Sequence, residues 1–231
     1  MSSTGTSAPP SLATLRLWQL VSPALPVGAY AYSEGLEQAC ADRLVHDAAS
    51  AEDWIVGQLE HVLASLDVGV LGRTHQAFAD GDLARARRWS AFLLASRESA
   101  ELLAADRHLG QSLARLLVGL EVEGARRWVD DPSASFAAMF ALAATRWDIP
   151  LPDAAGGYLF AWLENQVTAA VKLVPLGQTA GQRILLRAAD RVACAVRNGL
   201  ALVDDDLGSG APGVALASMR HETLYSRLFR S

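Results

Sequence analysis

The histidines and cysteines of this 231-residue chain are the side chains best suited to metal or covalent chemistry. They are His46, His61, His75, His108, His221, Cys40 and Cys194. No two histidines lie three or four residues apart, and the cysteines lack the CxxC spacing that gathers ligands around zinc or nickel. We therefore expect no intrinsic metal site and no cofactor, and we expect each histidine to lie on the surface or to have a hydrogen-bonding partner.

Motifs for nucleotide binding and nucleophilic catalysis are missing from the sequence. There is no G-x-x-x-x-G-K-[ST] loop, and the only lysine, Lys172, lies outside any such context. There is also no G-x-S-x-G elbow. Glu98, Asp106 and His108 share one predicted helix, but their spacing does not bring three ligands to one point. We expect a protein that is not an enzyme, and a small helical enzyme or metal carrier is the remote alternative.

The elements that would position any site are all predicted to be helices. Apolar residues recur at helical spacing, and no alternating β-branched run bounded by turn residues occurs. We predict an all-α fold, a single globular bundle of roughly eight to ten helices. The predicted organisation is a disordered lead over 1–11, the all-α domain over 12–203, a flexible linker over 204–213 and a partner-binding tail over 214–231.

Polar residues ahead of the apolar stretches predict where helices begin. Ser33, Ser50, Asp82 and Asp153 are predicted N-caps. Asp106 instead lies on the apolar stripe of its helix. A buried carboxylate without a partner is costly, so we predict that Asp106 has a structural partner, the alternative being that it faces an interface.

Composition favours a soluble, cytoplasmic protein with free thiols. Only 19% of residues are charged, against about 25% in an average domain, and this predicts either exposed apolar surface for a partner or an Ala-rich exterior. The net charge of −5 without a long basic run argues against nucleic-acid binding. The N-terminus lacks a signal-peptide pattern. The uncharged stretch 17–33 is broken by proline and glycine, so we expect no membrane span.

Two segments have the composition of binding surfaces. The loop after the first helix combines Trp18, Tyr30 and Tyr32 with Pro23 and Pro26. Aromatic residues are enriched at interface hot spots, and proline lowers the ordering cost of binding. The tail sequence RHETLYSRLFRS mixes arginines with aromatic and aliphatic residues, which predicts folding against a partner. For both segments, packing against the chain's own bundle is the alternative.

Four blocks of sequence, in order, carry a resemblance to a known family. QLVSPALPVGAYAYSEGLE resembles the N-terminal signature of the urease accessory protein UreF family, and ASRESAELLAADRHLGQSLARL resembles its central Arg-Glu helix. YLFAWLENQVTAAVKLVPLGQTAGQRIL and MRHETLYSRLFRS resemble its later block and its C-terminal tail. The resemblance covers about residues 12–231. It departs at Ala137 and Ala141, where the family usually has proline and glycine, and both changes favour helix.

The resemblance implies a chaperone of urease maturation. UreF-like proteins are all-α, form homodimers and bind UreD, called UreH in some organisms. The complex recruits the GTPase UreG to apo-urease, whose active site then receives nickel. The alternative within the family is that the chain chiefly regulates GTP hydrolysis by UreG rather than acting as a scaffold.

The same blocks imply three partner-binding elements. The first would form a face for the GTPase or the dimer and contains Pro23, Pro26, Gly28, Tyr30, Tyr32, Ser33 and Glu37. The second contains Lys172, Pro175, Leu176, Gly177 and Gln178. Its lysine would act on the GTPase electrostatically, the alternative being a simple interaction with a helix C-terminus. The third would dock UreD and contains Arg220, Glu222, Tyr225, Arg227, Leu228, Phe229 and Arg230.

Overall fold

The computed structural model describes residues 9–208 and 210–231, and these residues form helices and connecting segments without a strand. The prediction of a single all-α domain is confirmed. Over the described residues the nine helices are α1 Leu12–Val21, α2 Leu36–Ala41, α3 Ala48–Ala79, α4 Leu83–Ala95, α5 Ala100–Gly119, α6 Phe136–Arg146, α7 Leu151–Leu173, α8 Gln178–Ala201 and α9 Pro212–His221. Residues 1–8 of the predicted disordered lead lie outside the described residues.

Polar side chains accept a backbone N–H at the start of five helices, as capping requires. These N-caps are Ser11, Asp47, Asp82, Ser99 and Ser135. The predicted cap at Asp82 is therefore confirmed. The predicted cap at Ser50 is wrong, because Asp47 is the N-cap and Ser50 is its partner in the capping box.

The predicted caps at Ser33 and Asp153 are also wrong. Gly35 precedes α2 with a φ of 86°, and a Cβ at this position would lie 3.2 Å from the backbone nitrogen of Ser218 in α9. Glycine allows both this left-handed backbone and the close approach. Asp153 lies in the first turn of α7, after the cap Pro150, where its charge still favours the positive end of the helix dipole.

Helix α3 is the 32-residue centre of the fold. Its middle, Leu59–Asp67, has wide π-type turns between two α-helical halves. Among the described residues it is the one helix long and apolar enough to span a membrane, but 61% of its most apolar window is buried inside the protein. A core helix has this property, because it must be apolar on nearly every side.

Two clusters of buried side chains make up the core. The larger joins α3, α5 and α6 around residues such as Trp128 and Phe140, which are fully buried. Helix α6 is unbroken at Ala137 and Ala141, as their helix-favouring character predicts. Both alanines are fully buried. The smaller cluster lies where α2, the end of α7 and the start of α8 meet, and it includes Phe229 from the tail.

The segment 204–213, predicted to be a flexible linker, lies against α3. Asp204 pairs with Arg73 at 2.7 Å. The backbone nitrogens of Gly208 and Gly210 donate to the carbonyl oxygens of Ser65 and His61 at 3.2 and 3.0 Å. Helix α9 follows directly and packs on α2 and α5. The described residues on both sides of position 209 therefore contact α3, which is distant from them in sequence.

Candidate partner-binding surface

The three predicted binding elements come together at the smaller core cluster. Phe229 is buried there with Leu36 of α2, and Leu176 packs against the same cluster. The exposed Lys172 places its Nζ 5.7 Å from the centroid of the Phe229 ring, a distance suited to a cation–π contact. One region of the molecule therefore contains the end of the loop, the Lys172 block and the tail.

Glu37 fastens the tail to the start of α2. One of its carboxylate oxygens accepts the backbone N–H of Leu228 at 2.7 Å, and the other accepts that of Phe229 at 2.9 Å. The second oxygen also lies 3.0 Å from Nε2 of His221. Glu37 is buried, so this predicted partner-binding residue faces its own tail instead of solvent.

His221, at the end of α9, lies between two carboxylates and is fully buried. Its Nδ1 is 2.8 Å from Glu101 of α5, opposite the contact with Glu37. Each ring nitrogen therefore lies within hydrogen-bond distance of a carboxylate oxygen, and the two carboxylates belong to different helices. Arg227 pairs with the other oxygen of Glu101 at 2.9 Å. Contacts with His221 and Arg227 therefore join α5 to the end of α9 and to the tail.

Backbone bonds join the end of the tail to the loop, defined here as residues 22–35. The main-chain oxygen of Ser231 accepts the backbone N–H groups of Ser33 and Glu34 at 2.7 and 3.1 Å, and it also accepts the Ser33 hydroxyl. Arg230 donates its backbone N–H to Ala31 at 2.8 Å. Packing of the tail on its own bundle, the alternative stated above, is therefore what the structure contains.

The predicted residues divide between buried anchors and exposed groups. Tyr32, Ser33, Glu37 and Phe229 are buried, while Gly28 and Leu176 are partly buried. The exposed members are Pro23, Pro26, Tyr30, Lys172, Pro175, Gly177, Gln178, Arg220, Glu222, Tyr225, Arg227, Leu228 and Arg230. The anchors hold the backbone in place, and the exposed groups are available to a partner.

Four large apolar or aromatic side chains of α9 and the tail are exposed to solvent. We call Leu216, Met219, Tyr225 and Leu228 the tail face. Tyr225 is fully exposed, and Leu228 is 65% exposed. Leu216 and Met219 lie on the solvent side of α9 and were not among the predicted residues. A helix predicted over this segment would have placed these two residues, three positions apart, on the same side.

A second polar cluster is buried below the loop. Arg97 donates to Asp67 of α3 at 2.6 Å and to Asp106 of α5 at 2.7 Å. Asp106 also accepts the first backbone N–H of α6, from Phe136, and Tyr158 donates to Asp67 at 2.9 Å. The prediction that Asp106 has a partner is confirmed, whereas the sequence analysis missed Asp67, Arg97 and Tyr158.

Electrostatics stabilise the charged form of this second cluster. Burial alone would lower the pKa of Arg97, but the adjacent Asp67 and Asp106 carboxylates hold it well above its ordinary value. Burial and the same two carboxylates raise the pKa of Tyr158, so its hydroxyl stays protonated and can donate. The arrangement is a structural tie between α3, α5, α6 and α7 rather than a source of reactive groups.

Metal-binding groups do not gather within the part of the chain that the structure describes. No set of three His, Cys, Asp or Glu side chains there could hold a metal ion. The two cysteines are unbridged. Burial and the neighbouring Glu37 raise the pKa of the Cys40 thiol to about 11, which keeps it protonated and unreactive at neutral pH.

Comparison with known proteins decides the family. The family model for UreF matches residues 45–189, from the segment before α3 into α8. The chain belongs to the UreF family. The urease accessory protein UreF of Alkalilimnicola ehrlichii is 55% identical over 226 residues, which cover 98% of this chain and 99% of that protein. The UreF proteins of Hahella chejuensis and Teredinibacter turnerae are 45% and 46% identical, covering 96% and 94% of this chain.

These UreF relatives place the candidate surface inside the shared length. The match to the Alkalilimnicola protein leaves out only 2% of this chain, so the shared length includes nearly all of it. The relatives are named as accessory proteins and not as enzymes. Among the described residues, the tail face and the loop of this UreF family member expose large apolar and aromatic side chains to solvent.

Proposed function

We propose that this UreF-family protein is a non-enzymatic chaperone of urease maturation in the cytoplasm. It forms a homodimer, binds UreD (UreH), and recruits the GTPase UreG to apo-urease so that nickel enters the active site. Membership of the family and the names of the relatives support the accessory role. The partners, the dimer and the location are our inference from the family resemblance.

The observation that carries the proposal is that the exposed tail face belongs to a segment whose backbone is fixed by buried side chains. Exposed apolar side chains on a segment already ordered by Glu37, His221 and Phe229 can bind without a large loss of chain entropy. The flanking Arg220 and Arg230 are exposed and supply the basic rim common at interfaces. We assign UreD to this face.

Point substitutions on the tail face test the assignment. Changing both Tyr225 and Leu228 to alanine should abolish co-purification of UreD from a urease-producing host, because interface centres depend on few large side chains. Both side chains are exposed, so the thermal unfolding midpoint should stay unchanged. Leu186 of α8 is 71% exposed and offers a matched control, Leu186→Ala, that retains UreD. Full UreD recovery with the double variant would contradict the proposal.

A regulatory role toward UreG is the second candidate, and Lys172 supports it. Its ammonium group is exposed yet contacts the ring of Phe229, so it lies where a tail-bound partner and the GTPase could both reach. Lys172→Ala should leave complex assembly normal and change GTP turnover by UreG in the UreD complex, and with it urease activation. Lys172→Arg, which keeps the charge, is the control. Unchanged turnover and nickel loading with Lys172→Ala would favour the scaffold role.

A further inference from the structure

A cleft of about 180 Å³ lies between the loop and helices α3, α5 and α7. Pro23 and Tyr30 of the loop form part of its outer wall, and the buried cluster of Asp67, Arg97 and Asp106 contributes to its lining. Small-molecule sites usually have volumes of roughly 300 to 1,000 Å³. The cleft is smaller than these, so it suits one inserted side chain better than a cofactor.

The cleft is short of positive charge. Among its described lining residues Arg97 is the single cation, and Asp67 and Asp106 already hold it. Glu34, Glu98 and Glu164 add three further carboxylates to the walls. Within the described residues no basic side chain forms an ion pair with Glu164. Burial raises the pKa of Glu34 and of Glu164, and at Glu34 the hydrogen bond from Trp162 and the charge of Arg97 only partly oppose the rise.

A buried amide in the same cleft also lacks a partner. Gln58 is 2% exposed, lines the cleft, and its Nε2 finds no hydrogen-bond acceptor among the described residues. A buried donor left unpaired destabilises the structure, because its hydrogen bond to water is lost and not replaced. An acceptor oxygen brought by another molecule would remove that cost. The cleft therefore calls for an occupant with both a cationic group and an oxygen.

We propose that the cleft receives an arginine residue of a partner protein. An arginine in a peptide carries a guanidinium for Glu34 and Glu164 and a main-chain carbonyl for Gln58. Its planar guanidinium forms paired hydrogen bonds with carboxylates and stacks on aromatic faces such as that of Trp162, whose Nε1 donates to Glu34 at 2.9 Å. The inference rests on the proposed function, because the occupant belongs to a partner, and it names the chemistry of that partner's contact with the loop.

Titration of the isolated full chain tests the inference. The probe is the capped peptide acetyl-Gly-Arg-Gly-amide, and the readout is the indole N–H resonance of Trp162, assigned with Trp162→Phe. We expect a saturable shift with this peptide, a weaker response with the lysine peptide, and none with the citrulline peptide, which has the same shape without the charge. Equal shifts with arginine and citrulline, a stronger response with lysine, or no saturable shift with arginine would overturn the proposal.

Charge-removing variants locate the binding. Changing both Glu34 and Glu164 to glutamine should lower the affinity for the arginine peptide by roughly tenfold or more, because charge-assisted hydrogen bonds are lost. Glu164→Gln alone keeps the test valid if the double variant does not fold, since Glu164 has no ion-pair partner among the residues that the structure describes. Asp205→Asn, on the surface, is the matched control. Unchanged affinity in the glutamine variants would reject the site, whereas failure of UreD or UreG to co-purify would reject only the proposed function.

Discussion

His221 connects three parts of the chain through its two ring nitrogens. Glu37 lies at the start of α2, Glu101 lies in the first turn of α5, and His221 itself ends α9. In the sequence this histidine is only one of five that stand apart from one another. Its importance comes from full burial in contact with two carboxylates that belong to different helices.

Removing that imidazole should release the tail. His221→Ala removes the ring that contacts both the buried Glu37 and the half-buried Glu101, and leaving buried polar groups without a partner costs about 1 to 3 kcal/mol. We expect that loss in urea unfolding, together with faster hydrogen exchange at Leu228 and Phe229. Arg220→Ala removes an exposed pair with Asp42 and should cost about 0 to 1 kcal/mol. Similar losses for the two variants would mean that the buried cluster is not what holds the tail.

Glu34 should make stability depend on pH in a defined direction. Burial raises its pKa above the ordinary 4.5, the Trp162 hydrogen bond and Arg97 oppose the rise, and Asp67 and Asp106 add to it. A carboxyl with a raised folded-state pKa contributes stability below its unfolded pKa and loses it as the pH rises through the folded value. The stability of the wild type relative to Glu34→Gln should therefore fall from about pH 4 to pH 7. An unchanged or rising difference in unfolding free energy would contradict this expectation.

At the scale of elements, helix α5 is placed by a close backbone approach. A Cβ on Gly110 would lie 2.2 Å from the carbonyl oxygen of Ala134 and 2.7 Å from the carbonyl carbon of Ser135, the cap of α6. Asp106, one turn earlier on α5, accepts the N–H of Phe136 that follows. The small residue and the carboxylate therefore act together to set the start of α6 against α5.

Gly110→Ala should disturb this junction strongly. The added methyl group meets backbone that cannot move aside cheaply, so we expect a loss of about 1 to 3 kcal/mol in unfolding free energy. Gly119→Ala is the control on the same helix, because a Cβ there meets nothing within 4 Å, and it should be neutral or stabilising by up to about 1 kcal/mol. A neutral Gly110→Ala would show that the junction relaxes easily.

At the scale of the whole molecule, the tail covers the smaller of the two buried clusters, which would be open to solvent without it. Phe229 is part of the smaller cluster. The Glu37 carboxylate accepts backbone hydrogen bonds from Leu228 and Phe229, and it has these partners only when the terminal segment 222–231 is docked on it. The larger cluster around α3, α5 and α6 does not depend on that segment. The binding surface and the stability of the second cluster are therefore linked.

Deletion of residues 222–231 should lower stability without abolishing the fold. Loss of one buried aromatic side chain and of two backbone partners of a buried carboxylate should cost about 3 to 6 kcal/mol. Thermal unfolding followed by circular dichroism measures this, with most of the helical signal retained at low temperature. Tyr225→Ala, which removes an exposed group, is the matched variant and should leave the midpoint unchanged. An unchanged midpoint after deletion would mean that the tail contributes binding residues but no stability.

The sequence by itself determined the helical class, the family and the segments that matter. Helical periodicity and the capping at Asp82 are local properties, and the four family blocks are readable in order without knowing any contact. Asp106 was also predicted to need a partner, because the cost of burying a carboxylate does not depend on where the partner comes from.

Only the tertiary structure decided which of those residues are anchors and which are offered to a partner. Glu37 and His221 are 184 positions apart, and Ser33 and Ser231 are 198 apart. No local pattern records such pairs, because the partners become neighbours only when helices that are distant in sequence bury their apolar faces against one another. The same packing turned Glu37 and Phe229 inward and left Tyr225 and Leu228 facing solvent.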